Sequence, residues 1–379
     1  MSLPIPHARP SIGARERALI EEVLASGTLA LGPFAEAFEA KIAEMAGRRF
    51  GVAVSSGTAG LHLAVRALGI REGDEVITTP FSFVASANCI MYERARPRFV
   101  DIEEETLGLD PSLIAEAATD RTKAVLPVHV FGRPCRIAEI ASLAEERGWY
   151  VIEDACEALG SRIGTRPMGS FGAASVFAFY PNKQITTGEG GVVVTDDAAL
   201  ATAFRSLRNQ GRDEDGTWLR HRQLGYNYRM DEMSAALGVA QLEGIAGLAA
   251  GRARVARAYE AALGQHEWIR LPRAEADETV DWFVYVVRLD SSIERTAVIE
   301  CLSAVGVPSR PYFSPIHLQP FYQSEFGYRP GDFPVTERVA ASTLALPFSS
   351  LHTDDDVARV TEALVAAVAD AQRRATPPT

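Results

Sequence analysis

Between residues 50 and 195 the chain alternates short apolar runs rich in Val and Ile with stretches whose apolar residues recur at helical spacing. Short apolar runs without polar alternation are strands covered on both faces, and the helical stretches between them supply the crossovers of a parallel sheet. The candidate strands are Phe50 to Val54, Glu75 to Thr78, Pro97 to Val100, Ala124 to Val128, Tyr150 to Glu153, Val176 to Phe179 and Gly191 to Thr195. Ala59 to Leu68 and Ile137 to Arg147 carry the helical period.

Past a long Ala- and Arg-rich helical stretch through Tyr259 the pattern changes. Trp282 to Leu289 reads as a strand, Glu294 to Val305 as a helix, and Asp354 to Arg373 as an amphipathic helix with Val357, Val360, Leu364 and Val368 on one face. The expected fold class is therefore α/β. A large, mixed but mostly parallel sheet domain covers 31–245, a smaller α+β domain covers 246–379, and the segment 1–30 is expected to pack near the small domain. With 379 residues, 47% apolar and 23% charged, the chain has enough apolar surface for such cores.

The net charge of −11 argues against a general nucleic-acid binder, which needs a basic face. Of the 38 Lys and Arg residues only Lys41, Lys123 and Lys183 are lysines, leaving 35 arginines. A lysine in so arginine-biased a chain is either a remnant of codon bias or does something arginine cannot. The four cysteines are far apart and form no Cys-x-x-Cys pair, the usage of a reducing compartment. The start Met1-Ser2-Leu3-Pro4-Ile5-Pro6 lacks the layout of a signal peptide, and no apolar run approaches the length of a membrane helix. A cytoplasmic protein without a membrane partner is expected. Walker, His-Glu-x-x-His and Gly-x-Ser-x-Gly motifs are absent, so no resident metal is expected.

Three stretches can carry chemistry. Ser55-Ser56-Gly57-Thr58-Ala59-Gly60 lies where a strand gives way to a helix, so hydroxyls and free N–H groups there can receive an anion. An ordinary Ser or Thr cap would look the same. Val151-Ile152-Glu153-Asp154-Ala155-Cys156-Glu157 brings acids to the carboxyl end of a central strand, the edge where open α/β sheets bind ligands. Tyr180-Pro181-Asn182-Lys183-Gln184-Ile185-Thr186-Thr187-Gly188-Glu189-Gly190-Gly191 places a lysine in a Gly-rich bend between two strands. Lys41 falls on the helical pattern of Phe34 to Met45, and Lys123 in a polar run before a strand, both bland positions. Lys183 is thus the candidate for Schiff-base chemistry, which a guanidinium cannot perform. Together, an imine-forming lysine, a strand-end acid and an anion cradle describe a pyridoxal-phosphate site.

The runs Ser56-Gly57-Thr58-Ala59, Glu153-Asp154-Ala155, Tyr180-Pro181-Asn182-Lys183 with Thr187-Gly188-Glu189-Gly190-Gly191, and Gly225-Tyr226-Asn227-Tyr228-Arg229-Met230 resemble the DegT/DnrJ/StrS sugar aminotransferases. The resemblance extends from Gly32-Pro33 through Arg310-Pro311-Tyr312 and His317-Leu318-Gln319-Pro320. It implies a fold-type-I pyridoxal-phosphate enzyme that is a homodimer with active sites shared across the interface. It further implies Lys183 as the catalytic lysine and Asp154 as partner of the pyridine nitrogen. Gly57 and Thr58 would hold the phosphate, Phe83 would stack on the ring, and Asn227 would reach the partner's phosphate. Arg229, Tyr312 and His317 would line the substrate side.

Two positions depart from the family's commoner pattern. Ala178 stands where many relatives have a phosphate-contacting serine, and Glu157 where they often have Gln or His near the ring hydroxyl. A carboxylate buried there requires a hydrogen bond or a neutralising neighbour. Arg205, Arg208, Arg212, Arg220, Arg222 and Arg229 form a local basic cluster that could receive a diphosphate, or could be a solvated face with Asp213, Glu214 and Asp215 between them.

The expected reaction transfers the amine of an amino acid, glutamate, to a nucleotide-linked 3- or 4-keto sugar. Lys183 would act as base and acid in the proton shift, a role that needs its affinity for the proton lowered by the site. The alternatives are amination of a keto-cyclitol, a pyridoxal-dependent sugar dehydratase, whose members carry His at the lysine position, and a non-catalytic pyridoxal-phosphate-binding regulator.

Overall fold

The computed structural model describes residues 5–212 and 220–375. Its centre is a seven-stranded sheet of β1 (Phe50–Val54), β2 (Glu75–Thr78), β3 (Arg96–Phe99), β4 (Thr122–Leu126), β5 (Tyr150–Asp154), β8 (Ala174–Ala178) and β9 (Gly191–Thr195). The strand order is β1-β9-β8-β5-β4-β2-β3. Neighbours from β8 through β3 pair in parallel, whereas β9 runs antiparallel to both β8 and β1. The connection from β8 to β9 explains the exception. Residues 179–190 contain no helix, and a parallel return needs a crossover that normally includes one. The Lys183 bend therefore turns the chain back on itself.

Alternate residues of each strand enter two cores, one on each face. Ala53, Ile77, Val192 and Val194 join a cluster with Phe38 and Ile42 of α2 (Pro33–Met45) and with α6 (Ile137–Arg147). Val52, Val54, Val76 and Val193 join the other, under α3 (Gly57–Ala67), α4 (Ala85–Met91) and α7 (Ala198–Arg208). Helix α3 lies so close that a Cβ on Gly60 would stand 2.7 Å from Val176 Cγ1. Helix α5 (Pro111–Ala117) leads into β4, and α8 (Glu232–Glu243) closes the first layer.

The long helix α9 (Ile245–Leu263) leads into an antiparallel sheet of β10 (Ile269–Arg270), β12 (Tyr285–Leu289) and β13 (Thr343–Leu346). Tyr259, Tyr285, Val287 and Leu344 form its core with α10 (Arg295–Ala304) and α13 (Asp354–Ala375). Val357, Val360, Leu364 and Val368 of α13 are all buried there. Helices α11 (Pro320–Phe326) and α12 (Pro334–Ser342) bridge toward the large sheet. A ribbon of β6 (Arg162–Ile163), β7 (Arg166–Pro167) and β11 (Glu278–Thr279) ties the two halves together.

The amino-terminal segment divides. Ile5 enters the C-terminal core, but α1 (Ala14–Ser26) buries Leu19 and Val23 in the large-sheet core beside α8 residues Ala235 and Val239. Its apolar stripe finds that partner because Gln241 of α8 donates to the Ser11 carbonyl and the Glu16 carboxylate at the helix start.

Strand ends differ slightly from the sequence expectation. β4 begins at Thr122 and stops at Leu126 because Pro127 has no N–H for the ladder. Val128 keeps one bridge, to Asp154. β12 begins at Tyr285 rather than Trp282, since Phe283 leaves the sheet to wall the cavity described next.

Candidate active site

A cavity of about 510 Å³ opens at the carboxyl ends of β1, β5 and β8. Gly57, Thr58, Phe83, Asp154, Glu157, Ala178, Lys183 and Tyr312 all line it. Residues from five separate stretches of sequence thus meet in one space.

The turn from β1 into α3 forms one end. Ser56 caps α3, its hydroxyl accepting from the Ala59 N–H at 3.1 Å. The N–H groups of Gly57 and Thr58 are those that a first helical turn leaves without intrahelical partners. A Cβ on Gly57 would stand 2.6 Å from Ala178 Cβ and 3.0 Å from Cys156 Sγ, so only glycine leaves this cradle open. Ala178 itself brings no hydroxyl, which leaves Ser56 and Thr58 as the hydroxyls at the cradle.

β5 delivers the acid. Strand alternation sends Glu153 and Asp154 to opposite faces. Glu153 is fully buried below the sheet, where it accepts from the N–H of Gly169 at 3.0 Å, the Ser175 hydroxyl at 2.9 Å and His129 Nε2 at 3.0 Å. Asp154 faces the cavity instead. Its Oδ2 accepts from the Ser86 hydroxyl at 2.7 Å, Ser86 shares a 2.8 Å bond with Ser82, and Oδ1 accepts from the Cys156 N–H at 3.2 Å.

Lys183 lies in the β8–β9 bend, its N–H donating to the Tyr180 carbonyl at 2.9 Å. Its Nζ stands 3.3 Å from Glu157 Oε1 and 4.0 Å from the centroid of the Phe283 ring. The other oxygen of Glu157 accepts from the Phe131 N–H at 2.8 Å. Burial pushes the Glu157 carboxyl above the usual carboxylate range, while Lys183 and the Phe131 N–H pull it back in part. The neighbouring Cys156 thiol is pushed well up, chiefly by burial and then by Asp154, so it is no ready nucleophile.

The bend is held from behind. Arg252 of α9 donates to the carbonyls of Lys183, Gln184 and Phe283. Gln184 donates to the carbonyls of Glu157 and Asp281. Burial lowers Arg252 to about 10 and raises Asp281 to about 6, each shift opposed by the charge of the other.

The remaining expected residues fall in different places. Tyr312 is half-buried in the cavity wall, its ring 6.1 Å from that of Phe131. Phe83 is 61% exposed at the mouth, next to an adjoining groove of about 690 Å³ that also takes in Tyr92 and Phe321. Asn227 is exposed and bridges Asn209, and Arg229 donates to the Asn209 side-chain oxygen at 2.8 Å. Neither lines this cavity.

His317, expected at the sugar pocket, is not among the residues that line this cavity. It is fully buried in a short turn, its Nε2 3.0 Å from Glu337 and its ring packed on Phe333. In the basic cluster, Arg208 turns inward to Glu39 and the Ala53 carbonyl, which removes it from any diphosphate site. Asp213, Glu214 and Asp215 lie outside the described residues.

Sequence reasoning missed Ser82, Ser86, Phe131, Arg252 and Phe283. Ser82 carried no helical signal, since it lies before the start of α4 and meets Ser86 only through the turn that leads into that helix. Arg252 carried none, because its partners are 31 to 69 residues away in sequence.

A primary amine, a strand-end carboxylate and a glycine-lined helix start, disposed around one cavity on this sheet, define the pyridoxal-phosphate site of a fold-type-I transferase. The cavity fits that cofactor in kind: the cradle suits a phosphate, Asp154 suits a ring N–H, and Lys183 suits an aldehyde. The model of the DegT/DnrJ/EryC1/StrS aminotransferase family matches residues 10–365, and the chain belongs to that family. It is a pyridoxal-phosphate-dependent aminotransferase.

The chain is 37% identical over 373 residues to the spore coat polysaccharide biosynthesis protein SpsC of Bacillus subtilis, covering 95% of this chain and 96% of that one. Among solved structures, DesV of S. venezuelae superposes with a TM-score of 0.88 at 34% identity, covering 97% of this chain and 95% of that one. DesI, solved in the presence of its TDP-sugar product, gives 0.91 at 34% identity over 99% and 96%. Among the described residues no single helix is long and apolar enough to cross a membrane.

Proposed function

We propose that this aminotransferase moves an amino group from an amino acid, glutamate, to the keto group of a nucleotide-linked 3- or 4-keto sugar, in the making of surface polysaccharide or secondary-metabolite sugars. The observation that carries the reading is the meeting of Lys183 Nζ, the Asp154 carboxylate and the Gly57-Thr58 cradle in one cavity. The sugar assignment is supported by family membership, by the TDP-sugar product named for DesI and by the polysaccharide role named for SpsC.

When bound, pyridoxal phosphate supplies an aldehyde that condenses with amines and a ring that accepts electron density from the bond being broken. Gly57 and Thr58 would hold its phosphate through backbone N–H groups and the Thr58 hydroxyl. Asp154, oriented by Ser86 and the Cys156 N–H, would accept a hydrogen bond from the ring N–H and favour its protonated form. Phe83 would cover one face of the ring. Lys183 would offer the amine that takes the aldehyde, and its Nζ would hold and move the proton that the transfer requires. Tyr312 borders the sugar. Asn227 and Arg229, exposed or turned aside on their own protomer, serve the cavity of a second copy, so the enzyme works as a homodimer in the cytoplasm.

Lys183 favours this reading over the dehydratase one, which has histidine there. The test is a half-reaction panel on protein loaded with the aminated cofactor. Return of the aldehyde-form absorbance with nucleotide-linked 3- or 4-keto sugars is the expected result. Response only to a cyclitol ketone overturns the sugar assignment. A Lys183→Ala protein that keeps both the lysine-bound cofactor band and normal turnover overturns the role of Lys183.

A further inference from the structure

The unusual residue of the cavity is Glu157. A neutral amide or an imidazole is common at this place in the family, and this chain has a carboxyl group 3.3 Å from the reacting amine. Its surroundings are built to hold it. The Phe131 N–H donates to Oε2, and Phe131 reaches that position in a left-handed conformation, φ 61°, that non-glycine residues adopt only at some cost. Gln184 donates to the Glu157 carbonyl and fixes the turn. Oε1 therefore faces Lys183 with no other hydrogen-bond donor among the described residues.

We propose that Glu157 receives the proton that Lys183 must shed to become a neutral amine, so that the two share one proton within the cavity. The Nζ–H bond breaks, an O–H bond forms at Oε1, and the positive and negative charges vanish together without any co-reactant. In water a lysine holds its proton about six pKa units more tightly than a glutamate. Here both side chains are largely withdrawn from solvent, 12% and 10% exposed, and annihilating the charges relieves both desolvation penalties at once. Burial already raises the Glu157 carboxyl, and Asp154 adds to that rise. The other titratable groups facing the pair act in known senses. Cys156 is held neutral by its own burial, and Tyr312, a neutral phenol pushed further up by Glu157, adds no charge. Arg252 and Asp281 stand behind the bend and offset each other.

This inference rests on Lys183 being the reacting amine, and its test needs neither cofactor nor sugar. Two groups sharing one proton titrate as a unit. Across the neutral range the neutral-amine fraction of Lys183 is then set by the exchange with Glu157 and does not depend on pH. The full-length, cofactor-free protein is labelled at several pH values with a small amine-directed acylating reagent, and each site is read by peptide mass. With only three lysines, the exposed Lys41 and Lys123 serve as internal references. The slopes of their labelling against pH, measured in the same samples, give the reference for amines outside the cavity. The expected result is a flat profile for Lys183 in the wild type, changing less than about threefold over two units. In Glu157→Gln the profile of Lys183 rises like those of the references. A wild-type Lys183 profile that already parallels Lys41 and Lys123 overturns the proposal, and that comparison stands even if Glu157→Gln does not fold. Failure of the keto-sugar panel leaves the plateau intact, so the two readings fall separately.

Discussion

Single atoms decide much of this site. Gly57 is needed for space and not for conformation, since the obstacle to a Cβ there is Ala178 Cβ at 2.6 Å. Gly57→Ala is expected to lose about 1–3 kcal/mol of stability through overpacking, measured by urea unfolding, and to release the cofactor more readily on dialysis. Adding Ala178→Gly restores part of both, because the 2.6 Å contact goes while that to Cys156 Sγ at 3.0 Å stays. Equal unfolding midpoints and equal cofactor retention in wild type and Gly57→Ala would show that the cradle has slack. The same scale separates Glu153 from Asp154: adjacent acids in one motif take a structural and a cavity role because side chains alternate along a strand. Spacing alone placed both acids at the strand end and the family resemblance pointed to Asp154; the direction of each Cβ gives the physical reason, since Asp154 and not Glu153 faces the cavity.

At the scale of elements, the β8–bend–β9 unit does what a crossover helix cannot. It reverses the chain within a dozen residues and presents Lys183 at the edge where β1 and β5 also end. The bend buries Phe179 and Ile185 in the core, and Arg252 of α9 adds backbone hydrogen bonds to it from another part of the chain. Arg252→Met removes those donors and leaves buried carbonyls unpaired. The expected cost is about 1–3 kcal/mol by urea unfolding, together with a slower amino-donor half-reaction. Arg252→Lys keeps the charge but not the fork and falls between the two. A Met variant within about 0.5 kcal/mol of wild type would mean that the bend holds itself. The 3.6- and 2-residue periods located most of these elements to within a residue or two, since each period reports burial along a single segment. They did not reveal that α9 reaches back to the lysine.

At the scale of the whole molecule, the positions of Asn227 and Arg229 give the proposed dimer its test. If each cavity takes Asn227 from the other copy, Lys183→Ala and Asn227→Ala are each weak alone, yet mixing them under conditions that exchange subunits makes one heterodimer cavity sound. About a quarter of wild-type activity is then expected from equal, random mixing of a two-fold symmetric pair. Recovery no greater than the sum of the separate variants counts against shared sites. Local pattern in the chain was enough for the sheet, the helices, the lysine bend and the kind of cofactor, because strand burial, capping and the need for an amine are properties of short segments. Three matters needed the tertiary structure: that His317 is buried against Glu337, that Glu157 faces Lys183, and that Arg252 holds the bend. Each depends on a hydrogen-bonding partner 20 to 69 residues distant, and which distant groups come within 3.5 Å is set by how the layers pack and not by any segment alone.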